Sequence, residues 1–344
     1  MSEHHPSRDL HTVEQVRAVD RAALAALQIS GIELMRRAAS AALSCLRRYW
    51  PQVRRICVHC GPGNNGGDGF LLAVLAREAG LQVDVVALTP VSRGDAAAAR
   101  AAWEVGGGQV QVWDVHAALP RAELHVDALY GIGLDRAPDP VATNLIERIN
   151  ADGVPILALD VPSGLNADSG DCPGAAVRAN LTTSFIVHKR GLHTGRAVDC
   201  VGVLELATLG VPASVVAGIP CDARLLAAEV LPRRDRSANK GRYGHLLVIG
   251  GGQGMAGAVH LAGESALRAG AGKVSVATRA EHVFALNAAR PELMAHGVDG
   301  PQALQPLLER ADVLALGPGL GQSAWAHALW LTALESGKPL VLDA

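Results

Sequence analysis

Three stretches of the 344-residue sequence set glycines beside side chains able to bind phosphate, hold a cation or move a proton. The first, Gly61-Pro62-Gly63-Asn64-Asn65-Gly66-Gly67-Asp68-Gly69, joins an apolar strand pattern to an apolar helical one. At such a junction the free backbone N–H groups and the helix dipole favour an anion, and phosphate is the natural guest. Glycine at five of the nine positions lets a ligand approach the backbone without Cβ obstruction. The spacing fits neither G-x-G-x-x-G nor the P-loop with its Lys-Ser/Thr ending, which weakens ordinary dehydrogenase and nucleotide-hydrolase assignments. A tight turn using Gly and Asn for positive φ is the structural alternative. Two adjacent asparagines exceed what a turn requires, and their oxygens suit a polar ligand or a cation.

The other two stretches, Asp127-Ala128-Leu129-Tyr130-Gly131-Ile132-Gly133-Leu134 and Leu159-Asp160-Val161-Pro162-Ser163-Gly164-Leu165-Asn166, each put an aspartate at a strand end before a glycine turn. A lone aspartate there is as readily a turn or helix cap. If the strands are parallel, Asn65, Asp127, Asp160 and Ser163 project from one carboxyl edge, where such sheets bind ligands. Two carboxylates beside a phosphate repel it unless one holds a cation or serves in proton transfer, so a division of roles is expected.

The elements that would position these groups alternate in type. Thr12 to Leu27 and Ile32 to Arg48 carry apolar residues at helical spacing, split by Ser30-Gly31. Strand patterns follow at Ile56 to His59, Val83 to Leu88, Val110 to Trp113, Leu124 to Leu129 and Ile156 to Leu159. Asp68 is expected to precede a helix over Phe70 to Ala79, and Asp95 a helix ended by Gly106. Ser184 to Val187 and Val201 to Leu206 are candidate last strands of the same parallel sheet. The alternation breaks at the charged, proline-interrupted stretch around Leu231-Pro232-Arg233-Arg234 and then restarts. His245 to Ile249, Lys273 to Ala277, Val313 to Leu316 and Leu340 to Leu342 are strand patterns, and Ala256 to Ala269 is helical. The division expected is therefore residues 1–221, a connector over 222–242, and 243–344.

Composition agrees with alanine- and valine-rich α/β layers: 49% of residues are apolar, only 3% are aromatic, and 38 are glycine. A formal net charge of −2 gives no whole-chain attraction for nucleic acid or anionic membrane, and neither is an expected partner. No apolar run reaches the roughly 20 residues that span a bilayer. The polar start, Met1 to His11, lacks a signal or transit pattern, so the expected location is cytoplasmic. The six cysteines are expected to be reduced core residues, including the C-x-x-C of Cys57 and Cys60, which has no second pair at zinc-finger spacing.

In this order, GPGNNGGDG, DALYGIGL and LDVPSGLNADSG resemble the three signatures of the NAD(P)H-hydrate epimerases, with Glu33-Leu34-Met35 and His188-Lys189-Arg190-Gly191-Leu192 extending the similarity over about Val13 to Pro212. The resemblance implies a Rossmann-like three-layer α/β domain that interconverts the R and S hydrates of NADH and NADPH. It further implies a potassium ion on Asn65, Asp127 and Ser163, hard oxygen donors suited to such a cation. By the same carry-over, Asn64, Asn65, Gly66, Gly67 and Asp68 line the hydrate site. So do Gly131, Ile132, Gly133, Leu134, Asp135, Arg136 and Ala137. Asp160 then contacts the reacting end. There the hydrated ring carbon loses hydroxide with help from the ring nitrogen, and Asp160 shuttles the proton. Lys189 is expected to be a solvated surface lysine, charge stabilisation being the lesser alternative.

Lys240-Gly241-Arg242-Tyr243-Gly244-His245 through Gly250-Gly251, then Ala266 to Gly272, Arg290 to Met294 and Leu316 to Gly321, resemble the opening of the ribokinase-like NAD(P)H-hydrate dehydratases. The family's substrate-contacting positions match Ala258 and Gly319, and its cofactor is ADP or ATP. Because the sequence stops at Ala344, a strand end, the family's Gly-Asp catalytic segment is expected to be missing, leaving a partial ribokinase-like domain. A homo-oligomer is compatible with this assignment. The competing classes are a non-catalytic nucleotide-binding scaffold and a ribokinase-like kinase fragment.

Overall fold

In the computed structural model, residues 8–90, 94–226 and 233–343 are described. The start, Met1 to Ser7, and the connector residues Leu231 and Pro232 lie outside them. The chain divides into two compact units, residues 1–228 and 229–344.

The first unit runs β1 (Asp9–His11), α1 (Val13–Leu27), α2 (Gly31–Tyr49), β2 (Arg55–Cys60), α3 (Asn64–Glu78), β3 (Gln82–Ala87), α4 (Asp95–Val105), β4 (Val110–Val112) and β5 (Leu124–Ala128). It continues with α5 (Pro140–Ala151), β6 (Ile156–Leu159), β7 (Leu181–Phe185), β8 (His188–Lys189), α6 (Ala197–Cys200), β9 (Val203–Ala207), α7 (Ala213–Ala217) and β10 (Ala223–Arg224). Seven strands form one parallel sheet in the order β4-β3-β2-β5-β6-β7-β9. The centre of this sheet, β2-β5-β6, carries all three glycine motifs at its carboxyl ends.

Side-chain alternation makes the layers. Ile56, Val58 and Cys60 of β2 enter the core built with α1 to α4, while Cys57 joins the opposite core with Leu145, Ile146 and Ile149 of α5. The two cysteines of the C-x-x-C therefore face opposite sides of the sheet. His59, on the Cys57 side, is fully buried and bonds His125 (3.0 Å), which bonds Asp152 (2.9 Å). Burial keeps both imidazoles below their ordinary pKa, so they sit neutral in this chain of hydrogen bonds.

Local signals fix the helix starts. Thr12 and Gln15 form a capping box on α1, Ser30 caps α2, and Asp139 followed by Pro140 opens α5. The glycine stretch departs from expectation, because α3 already begins at Asn64 and Asp68 lies inside it rather than at its cap. None of its five glycines has positive φ. They serve close packing: a Cβ on Gly66 would collide with the Gly61 carbonyl, and one on Gly69 would come within 2.6 Å of the Ala128 Cβ.

A small sheet, β10-β1-β8, clips the start and end of this unit together: His11 pairs with Lys189 and Leu10 with Ala223.

The second unit runs β11 (His245–Ile249), α8 (Ala256–Ala269), β12 (Lys273–Thr278), α9 (Val283–Ala289), β13 (Met294–Gly297), α10 (Pro301–Arg310), β14 (Val313–Leu316), α11 (Ala324–Glu335) and β15 (Leu340–Leu342). Its five strands are parallel in the order β13-β12-β11-β14-β15. Apolar cores lie on both faces, one with α10 and α11 and one with α8 and α9.

Candidate active site

Above the carboxyl edge of the first sheet lies a cavity of about 540 Å³. Three elements named from sequence reach it: Asn64, Asn65 and Asp68 of α3, Gly131 to Leu134 after β5, and Asp160 after β6. Gly66 and Gly67 are buried in helix packing, and Asp135, Arg136 and Ala137 are exposed away from the cavity wall. Asp127 and Ser163 sit buried beneath it.

The N-terminus of α3 opens on this space. Gly63 caps it without a side-chain bond, so the first-turn N–H groups are available to an anion.

Beneath the cavity, Asp127 accepts from the Leu129 N–H (3.2 Å), the Ser163 N–H (2.8 Å) and the Ser163 hydroxyl (2.6 Å). Burial raises its pKa to about 6, and the Ser163 bonds oppose that rise. The Tyr130 peptide ties the group together, donating to Ser163 Oγ (2.8 Å) and accepting from Asn65 Nδ2 (2.9 Å). Asn65 Oδ1 is buried with no hydrogen-bond partner. An unpaired acceptor tied through the Tyr130 peptide and Ser163 to a buried carboxylate fits a bound cation, which would satisfy the one and keep the other ionised.

Asp160 has the opposite character. Its Oδ1 accepts from Lys189 Nζ at 2.5 Å, while Oδ2 lies on the Gly131 side, 3.4 Å from where a Gly131 Cβ would stand. The Asp127 carboxylate accepts three hydrogen bonds from its neighbours, two at Oδ1 and one at Oδ2, whereas that of Asp160 keeps one oxygen toward the cavity.

The expectation for Lys189 is corrected. It is 1% exposed, and its ammonium also donates to Ser184 Oγ (3.1 Å) and the Phe185 carbonyl (2.7 Å). Pairing of β8 with β1 buries it, and burial of an ammonium is tolerated because Asp160 supplies the countercharge.

Backbone strain gathers at the same place. Among the described residues four non-glycines have positive φ, and Asp160, Ile186 and Leu209 of these line the cavity. Each such residue costs on the order of 1–3 kcal/mol, which is typical of sites where geometry is imposed for a task.

Three carboxylates join Asp160 in the wall: Asp68, in the named glycine stretch, Asp95 at the start of α4, and Asp20 on α1, which was not named from sequence. Asp68 is pushed well up by burial, and then by Asp160 and Asp20. Asp20 is raised to about 6, mainly by burial. A signal for Asp20 existed: it interrupts the stripe Val16, Val19, Ala23 and Leu27 on an otherwise core-facing helix surface. Arg17 and Leu24 of α1, and Leu34 and Met35 of α2, complete that side and were likewise unmarked as site residues.

In the second unit, Ala258 and Gly319 meet at the glycine turns. Gly319 has φ +59°, and a Cβ there would lie 2.8 Å from that of Ala258.

The family model for YjeF-related protein N-terminus matches residues 31–191, and that for NAD(P)H-hydrate dehydratase matches residues 246–344. The bifunctional NAD(P)H-hydrate repair enzyme Nnr of Coxiella burnetii is 46% identical over 340 residues, covering 97% of this chain and 70% of the relative. The chain belongs to the NAD(P)H-hydrate repair family. The Escherichia coli enzyme of the same name is 42% identical, covering 97% of this chain and 66% of that protein. A solved yeast structure, ynu0, superposes with a TM-score of 0.54 at 18% identity, over 64% of this chain and 96% of that one, which supports the fold of the first unit. The dehydratase model matches 246–344, where the opening of a dehydratase domain was expected, and this match does not support the expectation that the family's catalytic segment is missing. No helix among the described residues is long and apolar enough to cross a membrane.

Proposed function

We propose that this member of the repair family interconverts the R and S hydrates of NADH and NADPH in its first unit. The observation that carries the proposal is the Asp160–Lys189 pair: one carboxylate oxygen is fixed by a buried ammonium while the other faces a cavity bounded by the open N-terminus of α3. The dinucleotide phosphates would lie against the first-turn amides of α3. Asp160, as the acid, helps hydroxide leave the hydrated carbon as the ring-nitrogen lone pair moves into the ring; as the base it takes a proton from incoming water. Asn65, Asp127 and Ser163 would hold potassium, whose charge would offset Asp127 below the phosphates.

Family membership extends the proposal to the second unit: ADP- or ATP-dependent dehydration of the S hydrate, with substrate approaching Ala258 and Gly319. The chain spans about two-thirds of the length of the relatives, and this activity is tested by NADH formation from S-hydrate with ADP. For the first unit, purified protein is incubated with R-hydrate and a separate S-specific dehydratase, with and without potassium. Faster R-hydrate consumption than with the dehydratase alone is expected; an unchanged rate would exclude the epimerase.

A further inference from the structure

Epimerisation poses a geometric problem for a single carboxylate. The hydroxyl leaves one face of the ring, and for the configuration to invert, water must return to the other. Asp160 is anchored through Oδ1 to Lys189 and held at φ +63°, so it cannot readily follow the reacting atom from face to face.

A second carboxylate is in place. Asp20 enters the cavity wall from α1, a different element from the β6 end that carries Asp160. Asp20 has no hydrogen bond or ion pair with any described residue, and it occupies a helix face whose neighbours Val16, Val19 and Ala23 are buried. A carboxyl set in an apolar stripe, without a partner and opening on a cavity, costs stability that packing does not return. Lys189 and Arg21 act on Asp20 through their charge, but the Lys189 ammonium is already bonded to Asp160, Ser184 and Phe185. Lys189 therefore cannot serve as a dedicated partner for Asp20, and four carboxylates, Asp20, Asp68, Asp95 and Asp160, line the cavity with it.

We propose that Asp20 is the second acid–base group of the epimerase, serving the ring face that Asp160 does not. This rests on the epimerase assignment above. The step balances as a two-group exchange. One aspartic acid gives its proton to the departing hydroxyl, the C–O bond breaks, and the nitrogen lone pair forms a C=N⁺ bond as water leaves. The other aspartate then takes a proton from a second water whose oxygen bonds the carbon from the opposite face, and the C=N⁺ electrons return to nitrogen. Nothing is oxidised or reduced. A proton has passed from one carboxyl to the other, and the new hydroxyl oxygen comes from solvent. The raised pKa of Asp20 suits a group that must alternate between acid and base near neutral pH.

The test follows ¹⁸O entry from labelled water into each pure hydrate, together with R/S inversion, for wild type, Asp20→Asn, Asp20→Glu and Asp160→Asn. Asp20→Asn is expected to slow inversion about 100-fold or more. It should leave oxygen exchange intact in one hydrate and abolish it in the other, because Asp160 still serves its own face. Asp160→Asn should give the mirror pattern, and Asp20→Glu should restore much of the inversion. Asn fills the same volume, and a thermal midpoint within a few degrees of wild type checks the fold. Equal loss of exchange in both hydrates, or inversion by Asp20→Asn at the wild-type rate, overturns the role of Asp20 alone. No inversion by the wild-type protein overturns the epimerase assignment itself.

Discussion

The carboxyl edges of the two sheets obtain unusual backbone in opposite ways. In the second unit, glycine supplies it: Gly251, Gly254, Gly317, Gly319 and Gly321 all have positive φ, and the two turns close on each other through Gly251 N–H to Pro318 O (2.9 Å) and Gly252 N–H to Gly319 O (2.7 Å). In the first unit the positive-φ positions at the cavity are Asp160, Ile186 and Leu209, while the glycines of the 61–69 stretch keep ordinary φ and serve close packing. Glycine removes strain where only shape is required. Strain is retained in the first unit where a side chain must be delivered, and Asp160 is the clearest case.

That contrast can be broken by substitution, and the largest effect is expected at Asp160. Asp160→Asn keeps the shape and should reduce R/S interconversion by at least about 1000-fold with little change in thermal midpoint, read by chromatography of the hydrates. Lys189→Met removes the buried ammonium and leaves Asp160 without its partner. Unfolding in urea should show a loss of about 3 kcal/mol, and kcat should fall as well.

Replacing potassium by choline should lower epimerisation on the order of tenfold by leaving Asn65 Oδ1 unpaired. The thermal midpoint should fall at the same time, and Asn65→Ala should blunt both responses.

The smallest effects contrast the two kinds of glycine. Gly319→Ala, at φ +59° and crowded by Ala258 and Met255, should cost about 2 kcal/mol. Gly63→Ala, where a Cβ meets nothing within 4 Å, should change stability by less than about 0.5 kcal/mol.

Much of the scaffold was legible because its periods are clean. Ile156–Leu159 and His245–Ile249 are strands at the residues expected, and α1 begins at its Thr12 cap. Of Asn65, Asp127, Asp160 and Ser163, expected together because parallel strands share one edge, Asn65 and Asp160 line the cavity, while Asp127 and Ser163 are buried beneath it. The start of α3 was hidden because Asn-Asn-Gly-Gly-Asp-Gly has poor helix propensity, and tertiary packing overrides it. Lys189 was misjudged for a related reason. Its neighbours His188 and Arg190 show no apolar period, and its burial comes from pairing with His11, a contact across 178 residues that no local pattern encodes. The short strands β1 and β10 were missed likewise, since two or three residues carry no detectable alternation.

The most direct measurement takes pure R-hydrate and pure S-hydrate of NADPH separately, adds the wild-type protein in potassium buffer, and follows both isomers by chromatography. Convergence of the two reactions on one R/S mixture, much faster than without protein and lost in Asp160→Asn, is the predicted result. Isomer ratios that drift no faster than in buffer alone would contradict the assignment of the Asp160–Lys189 cavity as an epimerase site.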